Sequence, residues 1–516
     1  MNTTLTNTPA RGRKAAALAA LFLWATSHLI ATDGVFSSVS STSNWNDTAR
    51  WQNATVANGA GAIADFSAAN TTSTSARVVN VNGDIVLGQL LLGDVTSTNR
   101  ARWQISTATG NTLTFNNNGA TAVLIAGPGS TSGGVELAAP LAVRLADSLD
   151  VRAGTASAFT LAGSLSASSN GTKLITNNGT GTGTVTLSGA ISDGSGVVGI
   201  VQNSATSTLF LSGVNSYSGG TTISAGAISI NDPSRLGSTS GTLTLNGGTL
   251  IMTGATAAKT FAHNTSLGSS GGTFQVSSGA SPLWNGTLSG DGALNKTGAG
   301  GMVLAAANTY GGGTNVSNGT LHLTNTTGSA TGSGALTVTG ALLSGTGIAA
   351  PNGQDIAFGA ESELAVGNKL DTSLLGISML TFRSAGGTVN FSQDSTAAFH
   401  LDIADLANYE RIVFDNIATI SLAGSLELNF TGSYSFSEGD TLQLFNWGNA
   451  TLSGSFSNDI AASLVPLSEG LVWNLSDLYT TGAISVAAIP EPSTYALIAG
   501  LGAIVLCAWR RRQRQD

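Results

Sequence analysis

Residues 215–228 read NSYSGGTTISAGAI and residues 308–321 read NTYGGGTNVSNGTL, two versions of one segment 93 residues apart. In each, a tyrosine follows an asparagine by two positions (Asn215 and Tyr217; Asn308 and Tyr310). A glycine pair comes next (Gly219-Gly220; Gly312-Gly313), then a run in which apolar residues alternate with small polar ones. Glycine accepts positive φ, and an asparagine side chain suits the capping of a turn, so the segment reads as a corner between two strands. The tyrosines are expected to stack on the turn of a neighbouring coil. A short strand–corner–strand unit cannot bury its apolar face alone; stacking successive units buries it.

The likeness runs backwards from the corner, where Leu209-Phe210-Leu211 matches Met302-Val303-Leu304 and residues 291–300 (DGALNKTGAG) supply the fuller lead-in. Further runs of the same kind are 111–115 (NTLTF), 184–187 (TVTL) and 241–245 (GTLTL), where apolar residues alternate with threonine. That alternation puts one face of a strand in a core and the other in water. From about residue 45 to 343, coils of ~20–25 residues with strands ~4.8 Å apart predict about 13 coils and a rod of about 60 Å. An antiparallel sandwich or propeller with glycine-rich hairpins is the alternative that the corners leave open; both are all-β.

Composition agrees with β-structure. The 516 residues include 67 glycines, only 9% charged residues and 41% hydrophobic residues. Glycine, threonine, serine and asparagine disfavour helices, and the recurring aliphatic runs argue against disorder. The single cysteine, Cys507, excludes a disulfide framework and a thiolate metal cluster. The net charge of −8 lacks the clustered lysine and arginine that phosphate backbones require, so no nucleic-acid partner is expected.

The repeats resemble the autotransporter-associated β-strand repeat, or passenger-associated transport repeat, of long bacterial surface proteins, with clear copies at about 198–232 and 291–325. The resemblance implies a right-handed parallel β-helix. Residues 43–46 (SNWN), Trp51 and residues 64–67 (ADFS) are similar to the start of such passengers, where aromatic strands close the first coil. From 354 to 488 the glycine turns thin out and longer strands appear, as in a final cap or the end of the same helix.

The two ends read as addresses. Arg11, Arg13 and Lys14 precede the apolar run 15–24 (AAALAALFLW), the layout of a signal peptide over residues 1–31 that would engage the export machinery. At the other end Pro490-Glu491-Pro492 precedes the apolar stretch 495–509 (YALIAGLGAIVLCAW) and then Arg510, Arg511, Arg512 and Arg514. Fifteen residues of helix cover about 22 Å, a marginal span that flanking residues extend, and the positive-inside rule keeps the arginines cytoplasmic. This three-part tail, 489–516, resembles the PEP-CTERM sorting signal. The resemblance implies recognition by an exosortase-type membrane protease, a membrane-anchored stage through the C-terminal transmembrane helix, and association with exopolysaccharide.

Catalytic chemistry has few candidates. His400, Asp402, Asp405, Glu410 and Arg411 are the best set for a polysaccharide-cleaving β-helix, and Trp284 or Tyr310 the aromatics that would stack on sugars if exposed. His28, His263, His322 and His400 do not cluster at metal-ligand spacing, and His322, alternating with Leu321 and Leu323, is expected to point into solvent. Residues 193–196 (DGSG) and 289–292 (SGDG) faintly resemble calcium-binding glycine–aspartate turns, without the period that follows in such arrays. No cofactor, metal or catalytic residue is expected. The expectation is an all-β solenoid (32–353), a β-rich C-terminal segment (354–488) and a sorting tail (489–516), together forming an exported, non-catalytic surface or matrix protein that acts as a spacer or adhesin. A carbohydrate-binding or carbohydrate-cleaving β-helix is the alternative.

Overall fold

The structure, a computed structural model, describes residues 31–489 apart from 39, 69–75, 94–101, 128–133, 155–157, 255–258 and 368–376; beyond 489 it describes Ile504 and Arg510. The signal-peptide segment and most of the tail therefore lie outside the described residues.

The described chain is all-β, with parallel strands stacked coil upon coil. One ladder runs the whole length, from Thr42–Asn44 through 17 strands to Thr451–Gly454. Each of its two end strands has a single partner, so the ladder is open at both ends. After most strands of this ladder the chain turns to a second face. That face is a five-stranded sheet in the first half (Ile85–Leu87 to Ile191–Ser192) and an eight-stranded sheet in the second (Thr260–Phe261 to Ser425–Phe430). A third face follows in most coils, with 11 strands from Gly34–Val35 to Leu288–Ser289 and four from Ile348–Ala349 to Phe445–Asn446.

Alternation explains the core. In Thr112–Phe115, Thr320–Leu323 and Ala398–Ile403 every second side chain is buried, and in-register parallel pairing stacks like positions in columns. Coil length is regular in the middle, with ladder strands starting 19 to 23 residues apart from Val185–Leu187 to Ile356–Phe358, and 24 to 35 apart in the flanking coils. Thirteen ladder strands fall between Thr42–Asn44 and Leu336–Val338, the number expected from sequence, and the parallel ladder continues for four more. Sixteen steps of ~4.8 Å make the rod about 77 Å rather than the expected 60 Å.

Both ends are closed. At the start, Phe36, Trp45, Trp51, Phe66 and Trp103 are all buried and pack ring on ring, with the Phe36–Phe66 centroids 4.7 Å apart. The indole N–H of Trp45 donates to Ala57 O at 3.0 Å and that of Trp51 to Trp45 O at 2.7 Å, while the buried Trp103 N–H has no partner among the described residues. At the other end, Thr441–Gln443, Ala483–Ala488 and Leu471–Asn474 form an antiparallel sheet over the last coils. Phe445 stacks on Trp447 there at 4.4 Å. A terminal coil would otherwise expose an apolar cross-section and an unpaired edge.

Candidate functional site

The asparagine–tyrosine corner bridges coils. Asn215 Oδ1 accepts from Ile191 N at 3.0 Å, its Nδ2 donates to Arg235 O at 2.7 Å, and its backbone N–H donates to Ser234 O. Asn308 repeats the pattern with Leu288 N (2.8 Å), Ala330 O (2.6 Å) and Ser329 O. The sequence suggested that these side chains cap their own turns. Instead each bridges the preceding coil and the following one, standing in for a missing strand of the second face at Asn215 and of the third face at Asn308. Asn325 reaches only the following coil, with Oδ1 accepting from Ile348 N at 2.8 Å.

Tyr217 and Tyr310 are fully buried, and each hydroxyl lies 2.6 Å from a threonine Oγ1 four residues on, Thr221 and Thr314. Burial pushes both phenols above their ordinary range, against the opposing threonine hydrogen bond. Each ring covers a glycine of the next coil: a Cβ on Gly237 or Gly332 would sit 2.9 Å from ring carbons. The glycine pair divides its work, which the sequence could not show. Gly220 and Gly313 have φ of 79° and 91°. Gly219 does not need positive φ, but a Cβ there would stand 2.5 Å from Val198 O, and Gly312 abuts Gly292 in the same way.

A long polar side chain fills the corner beside these turns. Lys296 is fully buried, and its Nζ donates to Thr297 O, Gly298 O and Asn318 O at 2.9–3.1 Å; burial lowers its pKa to about 8. Gln202 holds the equivalent place, its Nε2 donating to Ser204 O and Ser207 O. Sequence reasoning passed over both residues, although the one lysine of a repeat whose other charged residue is Asp291 was a signal.

Of the catalytic candidates, His400, Asp402 and Glu410 come together at the outer side of the second face, in a concavity of about 630 Å³ that Glu427, Asn429 and Ser463 complete. His400 Nδ1 lies 3.0 Å from Glu427 Oε2, and Asn429 Nδ2 donates to Asp402 Oδ1 at 2.9 Å. Glu410 is 4% exposed and its Oε2 accepts from Asp402 N at 2.9 Å. Burial pushes the Glu410 carboxyl up to about 8; the Asp402 N–H opposes the rise and the Asp402 charge adds to it. Asp405 and Arg411 do not join them. The Asp405 carboxylate accepts from Ala407 N and Asn408 N to hold a turn, and Arg411 alternates away from Glu410 along its strand.

The aromatic sugar platform is not where the sequence placed it. Trp284 is wholly buried and stacks on Phe261 at 4.9 Å, and Tyr310 is inside the stack, because both occupy inward positions. His322 faces outward as expected but is half-buried, its Nδ1 2.8 Å from Ser344 Oγ. Asp193 is engaged by the protein itself, accepting from Val198 N, Ser218 N and Ser218 Oγ. Among the described residues no group of three or more His, Cys, Asp or Glu could hold a metal ion.

The sorting motif follows directly on the folded body. Ile489 N–H donates to Gly470 O at 2.8 Å, and Ala488 pairs with Leu471 in the closing antiparallel sheet. Pro490, Glu491, Pro492, the apolar stretch and Arg511, Arg512 and Arg514 lie outside the described residues, while Ile504 and Arg510 are helical and exposed. Among the described residues no helix is long and apolar enough to cross a membrane.

Comparison with known proteins agrees with these features. The passenger-associated-transport-repeat family matches residues 206–230 and 294–323, and the PEP-CTERM protein-sorting motif matches residues 488–512. An adhesin, the BmaC autotransporter of Brucella suis biovar 1 (strain 1330), is 42% identical over 118 residues, which is 23% of this chain and 3% of the relative. The chain thus spans a small fraction of that relative's length. No solved structure matches.

Proposed function

We propose that this chain is an exported, non-catalytic surface or matrix protein: a right-handed β-helical spacer with adhesin-like character, carried to its place by an exosortase-type protease acting on the tail. The observation that carries the reading is the order of parts. A capped solenoid containing passenger repeats is described as far as Ile489, and the match to the sorting motif begins at residue 488. The apolar stretch 495–509 would span the membrane as a helix, with Arg510–Arg514 holding its cytoplasmic end. A rod of about 77 Å, closed at both ends against edge-to-edge growth, suits a part that holds something away from a cell.

Replacing Pro490, Glu491 and Pro492 together with alanine tests the sorting step in the native host. The variant is expected to accumulate in the membrane fraction while the unaltered protein reaches the surface or medium. Equal distribution of the two would overturn the proposal.

A further inference from the structure

Charge is unevenly spread along the solenoid. Between Asp355 and Asp477 there are 15 Asp and Glu against three Lys and Arg, a net of −12 in a chain whose total is −8. The concavity on the second face opens within this stretch. Its wall carries Asp402 and Glu427, and its floor carries the deeply buried Glu410, which presents Oε1 without a hydrogen-bond partner among the described residues while Oε2 is held by Asp402 N. Gly367 lies close to that oxygen and leaves no side chain against it: a Cβ there would stand 2.8 Å from Oε1.

The occupant can be narrowed by what the wall lacks. The strands beneath, Glu363–Val366, Ala398–Ile403 and Ser425–Phe430, are hydrogen-bonded to one another in sequence, so at Ala398–Ile403 no free edge is offered for an extended peptide to join. Recognition there falls to carboxylates, an imidazole (His400), an amide (Asn429) and a hydroxyl (Ser463), groups that bind hydroxyls and protonated amines. The volume suits one or two sugar units, and the surrounding negative field favours a polymer that repeats its positive charge.

We infer that this concavity binds amino-sugar units of a cationic polysaccharide, with an ammonium group seated between Glu410 Oε1 and the carboxylates of Asp402 and Glu427. The inference rests on the surface-protein reading above and supplies its partner. Burial raises the Glu410 carboxyl to about 8, so seating an ammonium beside it favours the carboxylate and couples binding to release of a proton. His400, already engaged with Glu427, and Asp402 are the titratable groups that share the concavity, and Glu363 reaches toward His400 from the adjoining strand.

The test is calorimetry of the full chain in detergent with fully deacetylated glucosamine oligomers, their N-acetylated counterparts and polylysine, in buffers of differing ionisation enthalpy. The deacetylated oligomers are expected to bind at least tenfold more tightly than the acetylated ones, to weaken with salt and to show a buffer-dependent enthalpy. Glu410→Gln should abolish that buffer dependence, and Asp402→Asn with Glu427→Gln should cost at least tenfold in affinity without changing the thermal midpoint. Equal affinity for both oligomers, no binding by the folded chain, or polylysine binding indifferent to these substitutions would each overturn the inference. A protein that reaches the surface but fails to bind loses only this inference; one that binds but is never exported loses the surface-protein reading instead.

Discussion

Replacing Asn308 with alanine would leave Leu288 N–H and Ala330 C=O unpaired inside the stack. Each such loss costs roughly 1–3 kcal/mol, so Asn308→Ala should destabilise by about 3 kcal/mol in chemical denaturation, and Asn308→Asp nearly as much because it cannot donate to Ala330 O. Tyr310→Phe removes one hydrogen bond and should cost about 1 kcal/mol, whereas Tyr310→Ala opens a cavity worth about 3–5 kcal/mol. Glu410 has a distinct signature in pH. Its folded-state pKa lies above the unfolded value, so the folded state binds more protons between the two. The stability it contributes is therefore present below about pH 4.5 and is lost as pH rises to about 8. Glu410→Gln should flatten that slope, gaining up to about 5 kcal/mol over the parent above pH 8, as read from denaturation midpoints across pH. At this scale the sequence was partly legible. Asn215, Tyr217 and the glycines stand out because they recur at one offset, but their partners do not, since Ile191 and Arg235 are reached only by stacking coils. Tyr310 packs on the turn of the next coil as expected, leaving no ring for a sugar, whereas Trp284 was misplaced because alternation tells that two faces differ without telling which one an aromatic takes.

At the scale of elements, the strands and the aromatic closure of the first coil were legible, and the antiparallel pairing that closes the other end was not. Runs such as 111–115 and 241–245 carry period-two alternation, and parallel stacking follows once the corners repeat. The C-terminal sheet gives no such signal, because Leu471–Asn474 and Ala483–Ala488 pair antiparallel and bury Ile484 and Val486 against the last coils. The acidic concavity was hidden for a related reason. His400 meets Glu427 through ladder register across a coil of irregular length, a relation the separation along the chain does not encode. The closing sheet is predicted to act as a barrier to association. Removing residues 471–488 while retaining the tail should expose Leu442, Phe445 and Trp447 and convert a monodisperse species into oligomers or aggregates, as seen by size-exclusion chromatography with light scattering. Unchanged elution would show that the cap does not protect the end.

For the whole molecule, the parts follow one direction: an aromatic plug at the first coil, regular coils with passenger repeats, wider and more acidic coils, an antiparallel cap, then the sorting motif. The solenoid is modular, so each coil contacts its neighbours and a long rod can be built without one large core. That order was legible from the two ends and the repeats. The length was underestimated because the coils after residue 343, with fewer glycine turns, still join the same ladder. The central claim is that this rod is delivered by cleavage of its tail, and the most direct test is mass spectrometry of the C-terminal peptide of the mature protein from membrane, surface and medium fractions of its native host. The account predicts a surface or released species ending near Pro490; a chain that runs to Asp516 in every fraction would contradict it.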